Sequence, residues 1–215
     1  MITVHKAKSI IDQYLTQLNS EVILINESSK RIIYHDLEAS FPSPRFDNSA
    51  MDGFAVRSVD TIGASKEDPV SLKVIGISSA GIPSNLTLNP GECIQCMTGA
   101  IIPNGADAVL MVENSSGFSN NDSVLVFLET HPGKHIRKKG EEVQKGDPLI
   151  SKGTRITPSE IGTLASFGFR KFSVVKKPQI AIFGTGDELI EPGEPIDKGQ
   201  VYNSNLYIFA DLVKK

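Results

Sequence analysis

The chain has 215 residues, 40% hydrophobic and 22% charged, with 22 basic against 25 acidic side chains and a net charge of −3. That composition describes a globular protein with a sizeable core, and the mild negative balance argues against nucleic acid or anionic membrane as a partner. No apolar run approaches the roughly 20 residues needed to span a bilayer, and no signal pattern opens the chain, so a cytoplasmic location is expected.

Residues 4–19 read as a helix, because Ala7, Ile10, Ile11, Tyr14, Leu15 and Leu18 recur at helical spacing. Their single apolar stripe is expected to pack into the core. Residues 21–26 and 31–37 are short β-branched runs joined by Glu27-Ser28-Ser29-Lys30, a turn-rich link.

The stretch from Phe41 to Arg57 fits no simple core element. Pro42 and Pro44 stiffen its entry, and Asp47, Asn48, Ser49 and Asp52 crowd four polar side chains into six positions. Gly53 follows, where a backbone without Cβ can turn tightly, and Phe54-Ala55-Val56 begins a buried strand. Two readings stand: a rigid loop that holds carboxylates still for chemistry, or an Asx-rich turn capped by its own side chains.

Beyond it, strand candidates recur at 71–77, 92–97, 106–112 and 124–128. Turns rich in Gly, Pro, Asn and Ser separate them, at 80–83, 89–91 and 114–122, and the spacing predicts a small antiparallel barrel or sandwich. Cys93 and Cys96 are the only cysteines; three apart on a strand, they point to opposite faces and form no redox or metal pair. His131 and His135 flank Pro132-Gly133, which prevents a helix from aligning them as metal ligands.

A helix with clear signals starts after residue 156. Thr157 suits the N-cap, Pro158 the first turn, and Glu160 completes a capping box; Ile161, Leu164 and Ala165 give the apolar face, and Gly168 suits the left-handed exit. Residues 171–175 read as a strand, and 179–183 as a continuous apolar strand that feeds Gly184-Thr185-Gly186-Asp187-Glu188-Leu189. Leu189 stands where a third dinucleotide-binding glycine belongs, and Asp187 and Glu188 would repel a pyrophosphate, so the loop suits a metal cation or a hydroxyl-rich ligand better. Residues 205–215 begin an amphipathic helix. Thr98 and Gly99, at the end of a strand, can offer a hydroxyl and a backbone N–H to an anion, although by itself the motif favours a turn with a self-bonded threonine.

Four stretches taken together resemble the molybdopterin molybdenumtransferase family (the MoeA and gephyrin E-domain type). They are Phe46–Val56; Met97-Thr98-Gly99-Ala100 with Gly105-Ala106-Asp107-Ala108-Val109; Ile136-Arg137 with Gly140-Glu141-Glu142; and Gly184–Leu189. The first is highly specific and the rest are weak alone. All four occur in family order.

The resemblance implies an α+β multidomain fold. An elongated αβ segment (1–47 and 138–176) would carry an inserted small β-barrel domain (48–137), and 177–215 would open an incomplete α/β molybdopterin-binding domain. It implies a transferase that inserts molybdate into adenylylated molybdopterin with release of AMP, using Mg²⁺, in a cytoplasmic homodimer whose site lies across subunits. By position it implies catalytic roles for Asp52, Thr98, Glu142 and Glu188, where Glu142 stands in for a common family aspartate. Substrate contacts fall to Ser49, Gly99, Gly184, Gly186 and Asp187, and metal binding to Asp52 and Glu188. A fragment of this length is expected to be inactive by itself. The same resemblance admits a non-catalytic scaffold of the gephyrin type, or a transferase for another nucleotide-linked molecule.

Overall fold

The computed structural model describes residues 2–119 and 122–214. Asn120 and Asn121, within the turn expected at 114–122, and Lys215, at the end of the last expected helix, lie outside the described residues. The fold is α+β and mostly sheet.

The first helix, α1 (Val4–Tyr14), is shorter than its apolar stripe, because Leu15 leaves it in an extended conformation. Thr3 caps it by accepting from the Lys6 N–H at 3.2 Å. The expectation that this stripe packs into the core is not met. No residue of α1 is buried, and Tyr14 is 80% exposed. Helical periodicity reports an apolar face, but the surface that covers it has to come from elsewhere.

Strand β1 (Ser20–Leu24) is followed by a single 3₁₀ turn at Ile25–Glu27. The run at 31–37 forms only bridges, Ile32 to Arg155 and Ile33 to Val174, before the short strand β2 (Leu37–Glu38). Next come β3 (Asn48–Ser49) and β4 (Gly53–Val56), on either side of the polar turn. The strands β5 (Val70–Ser78), β6 (Glu92–Cys96), β7 (Ala108–Met111) and β8 (Ser123–Val126) match the four runs predicted after it.

These strands build a five-stranded sheet in the order β7-β4-β6-β5-β8. It is neither purely antiparallel nor closed, as the expected barrel would be. β5 runs parallel to β6, and among the described residues the end strands β7 and β8 do not pair with each other, so the sheet is an open half-barrel. Alternation along β4 and β6 sorts its two faces. Phe54, Val56 and Cys93 join Leu72, Leu110 and Val126 in the main core, and Ala55 and Cys96 pack with Ala100 on the other side. Each large buried side chain of that core contributes about 1.5–3 kcal/mol. Burial raises the two thiols to about 12 for Cys93 and about 11 for Cys96, so both stay protonated and inert.

After β9 (Ile136–Arg137), which pairs with β3, a second core lies under β10 (Pro148–Ile150), α2 (Pro158–Ser166) and β11 (Lys171–Val175), with β11 antiparallel to β1. Ile33, Ile150, Ile156, Leu164, Phe172 and Val174 fill it. Helix α2 has the predicted capping box, in which the Glu160 carboxylate accepts the Thr157 N–H at 2.8 Å, and Gly168 leaves the helix at φ +77. Thr157→Ala is expected to cost about 1 kcal/mol of stability; urea unfolding of both chains checks it, and unchanged midpoints would contradict it.

The expected strand at 179–183 does not form: residues 176–188 carry no strand and their side chains are largely exposed. A strand needs a ladder partner, and none of the described residues pairs with this run. The chain continues into the short parallel pair β12 (Leu189–Ile190) and β13 (Val201–Tyr202), then α3 (Ser204–Lys214).

Candidate functional site

Three residues, Ala50, Met51 and Asp52, separate β3 from β4 and form a turn held at both ends. On the near side, β3 pairs with β9 and bridges Ile101. On the far side, β4 runs between β6 and β7. Gly53 makes this possible, since a Cβ there would stand 1.9 Å from the Leu110 carbonyl oxygen.

After β6 the chain folds back through Met97–Ala100, where Gly99 takes φ +80. Ser49 stitches this loop to β3: its N–H donates to the Ala100 carbonyl at 2.9 Å, and its carbonyl accepts the Gly99 N–H at 2.8 Å. The register brings Thr98 onto Asp52, 46 positions away. Asp52 Oδ1 accepts both the Thr98 N–H and the Thr98 hydroxyl, each at 2.7 Å. The backbone N–H first, and the hydroxyl second, hold the Asp52 carboxyl below the usual carboxylate range. Asp52 is exposed, and its second oxygen accepts no hydrogen bond among the described residues. A fixed, fully ionised carboxylate with one open oxygen can hold a cation or orient a water.

Of the residues singled out in the sequence, Asp52, Thr98, Gly99 and Ser49 therefore come together. Ser49 is fully buried, which leaves its side chain no access to a ligand. Glu142 lies elsewhere: its N–H donates to the Ser43 carbonyl at 3.0 Å and its carboxylate accepts the Ser43 hydroxyl at 3.1 Å. Gly184, Gly186, Asp187 and Glu188 belong to the C-terminal segment, where a groove of about 540 Å³ is lined by Gly184, Glu188 and Asn203. The Glu188 carboxylate folds over Gly186, where a Cβ would meet it at 2.5 Å. Among the described residues, no hydrogen bond or ion pair links Glu142 or Glu188 to Asp52, and no group of three acids, histidines or cysteines is placed to hold a metal.

Two residues of the site had no assigned role in the sequence. Asn203 closes on Gly184, with its side-chain amide 2.7 Å from where a Cβ would sit. Its sequence signal was its place just before an amphipathic helix. Asp47 clamps the base of the turn, accepting from Lys138 Nζ and from the Lys139 N–H, both at 2.8 Å. Lys138 above all, and then the Lys139 N–H, lower its pKa.

A carboxyl with a depressed folded-state pKa contributes stability that is complete above its unfolded value of about 3.9 and is lost as pH falls through the folded value. Asp47→Asn is therefore expected to lower the melting temperature modestly at neutral pH, and the gap should narrow below about pH 3.9. Thermal melts of both chains across that range test this; a gap that persists in acid would contradict it.

Comparison with known proteins places this geometry in a family. Residues 2–168 match the family described as MoeA N-terminal region (domain I and II). A molybdopterin molybdenumtransferase of Bacillus subtilis (strain 168) is 40% identical over 216 residues, covering 99% of this chain and 50% of the relative. Molybdopterin molybdenumtransferase 2 of Mycobacterium tuberculosis (strain H37Rv) is 35% identical over 214 residues, covering 100% and 52%. The crystal structure of a molybdopterin biosynthesis MoeA protein from Pyrococcus horikosii superposes with a TM-score of 0.86 at 33% identity, covering 100% of this chain and 54% of that one. The chain thus spans about half the length of the curated relatives it matches. By the family match over most of its length, the chain belongs to the MoeA N-terminal region family.

Proposed function

We propose that the full-length protein inserts molybdate into adenylylated molybdopterin and releases AMP, as a transferase of molybdenum cofactor biosynthesis. The observation that carries this reading is the Asp52 carboxylate, locked through Oδ1 by Thr98 and open at its other oxygen. Relatives named molybdopterin molybdenumtransferase align with the whole chain, and this supports the substrate class.

The donor set fits Mg²⁺, a hard cation that favours carboxylate oxygen and takes its other ligands from water and substrate phosphates. Asp52 would hold it through the open oxygen, and Glu188 is the second candidate. Bound there, the ion would neutralise charge on the phosphates as AMP leaves. Thr98 keeps Asp52 ionised and in one pose, and the Gly99 turn keeps Thr98 in reach.

We further infer a homodimer in which the Asp52 turn of one subunit faces the Glu188 loop of its partner. Among the described residues no hydrogen bond or ion pair joins the two clusters within one chain, so this reading assigns their meeting to two subunits, and the 215-residue chain alone is expected not to turn over. In this reading 48–137 is an inserted β domain, 1–47 and 138–176 form the elongated first domain, and 177–215 opens an α/β domain. Location in the cytoplasm agrees with the described helices, none of which is long and apolar enough to cross a membrane.

The test is AMP release and molybdenum insertion by the full-length protein, given adenylylated molybdopterin, Mg²⁺ and molybdate. Absence of both products would refute the proposal.

A further inference from the structure

We infer that Ser49 is a positioning residue for Asp52, pinning the acidic turn to the Thr98 loop without touching substrate. Ser49 is 0% exposed, yet it uses every polar atom it has. Its N–H and carbonyl pair with Ala100 and Gly99 at 2.9 and 2.8 Å. Its hydroxyl accepts the Met51 N–H at 3.2 Å and donates to the Met51 carbonyl.

One side chain thus closes a local turn through Met51, the residue before Asp52, while its backbone fixes the loop that carries Thr98. The two hydrogen bonds to Asp52 Oδ1 exist only if turn and loop keep this relative placement. The hydroxyl also lies beside the Cys96 thiol, whose pKa it lowers against the dominant effect of burial. Cys96 in turn packs with Ala55 and Ala100 on this side of the sheet. An alanine at position 49 would retain the fold of the strand but release the Met51 N–H and carbonyl, and with them the pose of the turn.

Positioning and binding separate kinetically. A group that only binds substrate raises KM when removed, whereas one that aims a catalytic group lowers kcat. In the full-length protein, Ser49→Ala is expected to lower kcat for AMP release by about tenfold with KM changed by less than about twofold. Ser49→Cys, which keeps a weak donor, should fall between. In the 215-residue chain, the Thr98 amide proton is expected to move upfield from its carboxylate-bonded position in Ser49→Ala. It should also exchange at least about tenfold faster.

A raised KM with unchanged kcat would overturn the inference in favour of a substrate contact, and a Thr98 amide unmoved by the substitution would also overturn it. Should Ser49→Ala fail to fold, the Met51 amide of the unmodified chain decides: slow exchange supports the pin and fast exchange overturns it. The kinetic arm rests on the proposed function; the amide arm does not. Failure of the function shows separately, as no AMP release by the unmodified full-length protein.

Discussion

Asp52→Asn in the full-length protein is expected to reduce AMP release and molybdenum insertion by roughly 10²-fold or more, the scale on which a positioned charge or proton-transfer group acts. The amide keeps the size of the side chain and still accepts from Thr98. It removes the negative charge, and with it the affinity of the open oxygen for a cation. Thermal stability should change little, because Asp52 is exposed and its Thr98 bonds can be kept. Raising Mg²⁺ should recover part of the loss if the ion binds there. Wild-type turnover by this variant would make the turn structural and move the chemistry to other residues. Asp52→Ala removes the acceptor as well, and should lose both turnover and the downfield position of the Thr98 amide.

The largest effect on stability is expected at the next residue. Gly53→Ala places a Cβ 1.9 Å from the Leu110 carbonyl oxygen and 3.0 Å from the Met111 Cα. Both atoms are backbone of β7, which cannot swing aside as a flexible side chain can. Gly53 pairs with Cys96 on one side and Met111 on the other, so the central strand has to separate from a neighbour. A cost of at least about 3 kcal/mol is expected, which at this chain length lowers the melting temperature by roughly 10 °C. Differential scanning calorimetry measures it. A loss under about 1 kcal/mol would mean that β4 and β7 adjust with ease, and that Gly53 serves some other need.

Residues whose interactions lie within a turn or two of chain were readable in advance. Thr157, Pro158, Glu160 and Gly168 bracket α2 as predicted, since a capping box and a left-handed exit involve partners at most four positions apart. The strands of the half-barrel were found for a related reason: their apolar and turn residues alternate on the scale of the strand itself. The opposite faces of Cys93 and Cys96 follow from the strand period alone.

The same logic failed where a segment depends on what covers it. The stripe on α1 read as core-facing and the run at 179–183 as a strand; the first is largely exposed and the second finds no ladder partner among the described residues. Parallel pairing of β5 with β6, where an antiparallel sheet was expected, was equally invisible, because strand direction is set by the path of the connection and not by strand composition. For the site, the motif around Asp52 marked the acid, and the motif around Thr98 marked the hydroxyl. Their contact across 46 positions was not legible. It depends on Ser49 holding Gly99 and Ala100 beside β3, and on Gly53 letting β4 close against β7.

Local hydrogen bonds and sterics, acting over a few residues, thus specify the caps, turns and strand faces of this protein from its sequence. Strand partners, the burial of apolar faces and the pose of Asp52 come from long-range pairing, whose free energy is realised only when distant segments meet. That is why the acid could be named from the chain, and why its partner, its lowered pKa and its open oxygen required the fold.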